Sequence, residues 1–122
     1  MGRVPTRELA ECCMDINETK LSGRFLFTLN GRLDSATNGL LDERLTKVIN
    51  DGELQIVIDC SQLHYLSSAG VRVLLTGIKK LSPKGGRIIL AAMRVQVREV
   101  MLLGGFDSVF PHFETVDEAL KA

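Results

Sequence analysis

The sequence predicts an α/β domain in which a mixed β-sheet of about four to five strands carries about four α-helices packed against it. Three observations predict it. Residues 54–60, "LQIVIDC", and 87–93, "RIILAAM", are short aliphatic runs without polar alternation, the pattern of strands buried on both faces. Between them, residues 67–86 switch to helical spacing, so 54–92 forms a strand–helix–strand crossover, which requires parallel strands. Outside that unit, segments of period two and period 3.6 follow one another, and the whole order is β-β-α-β-α-β-α-β-α.

Each element has its own signal. Residues 9–16, "LAECCMDI", make a first strand that begins around residues 8–10, and 17–23, "NETKLSG", is rich in breakers and predicts a turn. In "RFLFTLNG" Phe25, Phe27 and Leu29 alternate with Leu26, Thr28 and Asn30, a strand closed by Gly31. Leu41, Leu45, Val48 and Ile49 then share one helix face, with Asp34 or Ser35 placed to cap it and Asn50-Asp51-Gly52 to end it. The next helix turns Val71, Leu74, Leu75 and Ile78 inward and Arg72, Lys79 and Lys80 outward; Pro83 and Gly85-Gly86 stop it. "VQVREVMLLGG" is a third helix with a glycine stop. "SVFPHF" is a short edge strand interrupted by Pro111, and "ETVDEALKA" is a closing amphipathic helix.

With 122 residues and no internal repeat or linker, residues 1–122 are expected to form a single domain. Fifteen basic and fifteen acidic residues give no net charge, and the scattered Lys and Arg form no stripe for a nucleic acid. No apolar run approaches the length of a membrane span, and "MGRVPTRELAECC" lacks the apolar core of a secretory leader. Cys12, Cys13 and Cys60 have no metal or redox spacing, so buried reduced thiols in the cytoplasm are expected. No carboxylate–histidine cluster has metal-ligand spacing. No glycine loop matches a phosphate cradle, so no cofactor is expected.

The chemistry concentrates in "HYLSSAGVRVLL", residues 64–75, where Ser67 and Ser68 stand at a strand-to-helix junction. A serine there caps the helix, and Ser67 takes that role, worth about 1 kcal/mol. A hydrolytic nucleophile would need a G-x-S-x-G elbow and an oriented base. "YLSSAG" lacks the first glycine, and His64 and His112 have no third group to orient them. A phosphoacceptor is the third reading, because the free N–H groups and dipole of a helix start favour an added dianion. The residues alone leave the last choice open.

"GRLDSATNGLL", "IVIDCSQLHYLSSAGVRVLL" and "GGRIILAAMRVQVREVMLLGGFDSVFPHFETVDEAL", in that order, resemble the STAS domain family, and within it the single-domain bacterial anti-sigma-factor antagonists. The resemblance implies that Ser68, two residues before Gly70, is the hydroxyl phosphorylated by a partner kinase, with Ala69 the small residue between them. Ser67 stands where many relatives carry aspartate. It implies a docking surface of the Gly31–Ser35 turn with Asp34, the Ser67–Gly70 turn, and the outward helix face with Arg72 and Lys79.

Implied too is a non-enzymatic partner switch in the bacterial cytoplasm. The unmodified chain, a monomer or weak dimer, binds an anti-sigma factor serine kinase of the histidine-kinase-like ATPase type and releases sigma factor. Phosphorylation of Ser68 ends binding, and a metal-dependent serine phosphatase resets it. Two alternatives share the resemblance: an accessory STAS subunit of a transporter or lipid-trafficking complex, and a STAS module that binds a small ligand or nucleotide.

Overall fold

A computed structural model describes residues 14–21 and 23–122. The strands are β1 (Met14–Leu21), β2 (Arg24–Leu33), β3 (Gln55–Leu66), β4 (Arg87–Ala91) and β5 (His112–Phe113). The helices are α1 (Asn38–Asn50), α2 (Ser68–Leu81), α3 (Val95–Leu103) and α4 (Val116–Lys121), with single 3₁₀ turns at Ser82–Lys84 and Phe106–Ser108. The strands lie side by side in chain order. β1 runs antiparallel to β2, and every other neighbouring pair is parallel, so the sheet is mixed as the sequence predicts.

Alternation along the strands divides the core. Phe27, Leu29, Ile56, Ile58, Ile88 and Leu90 face α1, α2 and α3, whose Leu41, Leu45, Val71, Leu74, Val97 and Met101 complete the main cluster. Val57, Ile89 and Ala91 point the other way and meet Ala119 of α4. The central strands are thus covered on both sides, which is why they lack polar alternation. On α2, Val73 and Leu81 join the buried stripe, while Leu75 and Ile78 are only half-buried.

Several boundaries differ from the sequence expectation, each for a physical reason. Residues 17–21 are strand, not turn: Leu21 pairs with Arg24, leaving a two-residue hairpin that contains Gly23 at φ 79°. The polar residues there are compatible with a strand because Glu18 and Lys20 pair with Arg44 and Glu53. The expected start of the first strand, around residues 8–10, lies outside the described residues, as do Cys12 and Cys13. β2 does not close at Gly31 but runs on to Leu33, and β3 continues beside it from the expected Cys60 to Leu66. The expected "SVFPHF" strand shrinks to His112–Phe113; Ser108 ends a 3₁₀ turn, although the Pro111 carbonyl still accepts from the Leu90 N–H at 2.9 Å. Proline lacks the donor and keeps the acceptor.

Candidate functional site at the carboxyl ends of the parallel strands

The site is built where β2 and β3 end together. Their register breaks twice, once between Thr28 and Asn30 and once between Gly31 and Arg32, and Gly31 sits at φ 126°, a conformation that favours glycine. Beyond the breaks Arg32 lies opposite Tyr65 and Leu33 opposite Leu66. Leu33 and Leu66 are buried in the helix-side core, which fixes both strand ends.

The turn after β2 is closed by its own side chains. The Asp34 carboxylate accepts from the Ala36 N–H at 3.0 Å. The buried Thr37 hydroxyl accepts from the Asp34 N–H at 3.0 Å and donates to the Arg32 carbonyl at 2.7 Å. Neither Asp34 nor Ser35 caps α1, contrary to expectation: the cap position belongs to Thr37, whose hydroxyl is turned back into the preceding turn and caps nothing. Ser35 is exposed.

The turn after β3 is joined to it. The Ser67 N–H donates to the Leu33 carbonyl at 3.0 Å, and the Ser67 hydroxyl accepts from the Gly70 N–H at 3.3 Å. Ser67 is extended at φ −98°, ψ 169° and is the N-cap of α2, as expected. Gly70 packs so tightly that a Cβ there would lie 2.7 Å from Leu33 Cγ and 2.9 Å from the Leu33 carbonyl oxygen. Ala69 is half-buried between them, and Ser68 is exposed on the first helical residue. Among the described residues, neither serine hydrogen-bonds His64 or His112.

From Ser68, one stripe of α2 runs through Arg72, Thr76 and Lys79, at i, i+4, i+8 and i+11. Arg72 and Lys79 are exposed, and α2 carries three basic residues and no acidic one. Lys79 stands about 16 Å along the axis from Ser68, at 1.5 Å per residue, so it belongs to the same face but not to the turn.

Three side-chain arrangements here were not legible from the sequence. The Arg32 guanidinium stacks 4.2 Å above the Tyr65 ring and reaches Asp34 Oδ2 at 3.4 Å. Thr37 holds the Asp34 turn. Arg94, in the turn after β4 beside Ala92 at φ 56°, donates to the Ser61 carbonyl at 3.2 Å. Uninterrupted parallel pairing would have set Arg32 opposite Leu63; the two register breaks, which carry no signal in the sequence, bring it opposite Tyr65.

The sequence model of the STAS domain matches residues 15–119. This chain is a STAS domain. BtrV, a proposed anti-sigma factor antagonist of Bordetella bronchiseptica, is 36% identical over 109 residues, covering 89% of this chain and 94% of its own. Among solved structures, an anti-sigma factor antagonist from Mycobacterium paratuberculosis superposes with a TM-score of 0.82 at 27% identity, covering 89% and 92% of the two chains. SpoIIAA of Bacillus shares the fold at 22% identity and has been solved both unphosphorylated, with a TM-score of 0.76, and phosphorylated, with 0.68. The unphosphorylated form covers 87% of this STAS domain and 93% of SpoIIAA; the phosphorylated form covers 89% and 97%. No described helix of the STAS domain is long and apolar enough to cross a membrane.

Proposed function

We propose that this chain, a single domain over residues 1–122, is an anti-sigma-factor antagonist operating as a phosphorylation-dependent partner switch. Ser68 is its phosphoacceptor. The observation that carries the reading is the division of labour in the serine pair. Ser67 is committed to capping α2, whereas Ser68 is exposed on the first helical residue, with small residues beside it. The relatives named as anti-sigma factor antagonists supply the partner class.

In its unmodified form the domain docks on an anti-sigma factor serine kinase through the Gly31–Ser35 turn with Asp34, the Ser67–Gly70 turn, and the Arg72–Lys79 stripe. The exclusively basic charge of α2 suits an acidic partner face. The kinase brings ATP to Ser68: Oγ bonds to the γ-phosphorus, the bond to ADP breaks, and the hydroxyl proton leaves. Two unit charges about 5 Å apart at an effective dielectric of about 20 interact by roughly 3 kcal/mol. A phosphate of nearly two charges facing partner carboxylates therefore weakens binding by about 10²-fold with little backbone movement. A serine phosphatase restores the binding form. The chain acts in the cytoplasm and is itself no enzyme; Ser68 is the substrate of its partner's active site.

Mass spectrometry of the protein taken from its native host tests the acceptor, and a phosphate confined to another residue overturns it. Affinity capture tests the switch. Ser68→Ala is expected to retain a histidine-kinase-like ATPase and Ser68→Asp to lose it; equal retention by both overturns the reading.

A further inference from the structure

We infer that Arg72 is the intramolecular receptor of the Ser68 phosphate, so that phosphorylation withdraws a docking cation as it adds charge. The inference rests on the reading of Ser68 as phosphoacceptor. Residues four apart on a helix are surface neighbours. Arg72 follows Ser68 by that spacing on the exposed stripe of α2, and no carboxylate lies anywhere on that helix to compete for it. Among the described residues the Arg72 guanidinium makes no hydrogen bond or ion pair, while its carbonyl accepts from the Thr76 hydroxyl at 2.9 Å.

The other cations near the turn are occupied or misplaced. Arg32 is held by Asp34 and by the Tyr65 ring. Its neighbour Leu33 and the neighbour of Tyr65, Leu66, both point into the helix-side core, so strand alternation directs Arg32 and Tyr65 away from α2. Arg94 is bonded to the Ser61 carbonyl. Lys79 is too far along α2. A guanidinium presents a planar fork that matches two phosphate oxygens, so Arg72 takes the dianion in a geometry lysine does not reproduce. The unmodified stripe is cationic at both Arg72 and Lys79. In the phosphorylated form the Arg72 end becomes a neutralised or anionic pair, and the stripe loses its match to an acidic face.

The test uses the full chain with phosphoserine inserted at position 68 during translation, so that it does not depend on a kinase choosing that residue. The phosphate is titrated by phosphorus NMR in the wild type, R72Q, R72K and R32Q. Loss of the second proton is expected to be easier in the wild type than in R72Q, with a dissociation constant about twofold larger, the size of a helical i,i+4 ion pair. R72K is expected to fall between them, and high salt to shrink the difference. Identical titrations of the wild type and R72Q overturn the inference, as does a larger change in R32Q than in R72Q. Absence of phosphate from Ser68 in the native host would instead overturn the switch and leave this titration standing.

Discussion

The Ser67 N–H donates to the Leu33 carbonyl at 3.0 Å, and this bond fastens the turn that ends β3 to the turn that ends β2. The same carbonyl oxygen lies 2.9 Å from where a Cβ on Gly70 would sit, with Leu33 Cγ at 2.7 Å and Leu66 Cδ1 at 2.9 Å. The approach of α2 to the sheet is therefore set by a residue without a side chain.

Gly70→Ala consequently meets backbone, not merely a movable side chain, and cannot relax without lengthening the Ser67–Leu33 bond. A loss of about 1–3 kcal/mol is expected, despite the gain in helix propensity. Gly39→Ala is the control, because nothing lies within 4 Å of a Cβ there; it is expected to be neutral or stabilising by up to about 1 kcal/mol. Urea unfolding of both variants distinguishes the two environments.

Ser67 and Ser68 separate on stability before any partner is involved. Ser67→Ala removes the acceptor for the Gly70 N–H and is expected to cost about 1 kcal/mol, lowering the thermal midpoint by about 3–6 °C. Ser68→Ala alters an exposed hydroxyl and is expected to stay within about 0.5 kcal/mol of wild type. Equal losses in a thermal melt would show that the cap is shared.

These contrasts mark what was legible in the sequence. The Ser67 cap, the buried strands and the α2 stripe were readable, because each depends on neighbours within one helical turn or one strand. The Asp34 turn was misread: Asp34 is a good cap by type, but the decisive acceptor for its N–H is Thr37, whose burial depends on the sheet beneath it. The extension of β2 and β3 was hidden for a similar reason. Gln62 looks like a loop residue until Asn30 of β2 is seen to lie opposite it. The Arg32–Tyr65 stack joins residues thirty-three positions apart, and only the register supplies that contact.

The β1–α1 contact carries a further consequence. Arg44 grips Glu18 through Nε and through Nη2, the latter at 2.8 Å, and the Glu18 side chain is only 8% exposed. Hydrogen bonding to Glu18 raises the Arg44 pKa against the opposing effect of burial. Arg44→Met strands a nearly buried carboxylate and is expected to cost about 1–3 kcal/mol. Adding Glu18→Leu removes the stranded charge, so the double variant is expected to recover part of that loss. Urea midpoints of the four-member cycle measure the coupling.

Alkaline stability follows from Cys60. Burial, with a smaller contribution from the charge of Asp59, pushes the Cys60 thiol up to about 12. An unfolded cysteine ionises near about 8.5. The folded state therefore keeps a proton that the unfolded chain has already released. The resulting stability is whole below about pH 8.5 and drains away as pH rises toward the folded value, at up to about 1.4 kcal/mol per pH unit. Cys60→Ala removes this proton linkage and leaves a small cavity that is the same at every pH. Between about pH 9 and 11 the urea midpoint of the wild type is thus expected to fall more steeply than that of Cys60→Ala. Parallel slopes would assign the alkaline loss to other groups. A thiol reagent supplies the second measurement: Cys60 is expected to stay unlabelled in the native protein and to react at the rate of unfolding, since neither access nor thiolate is available while the strand is packed.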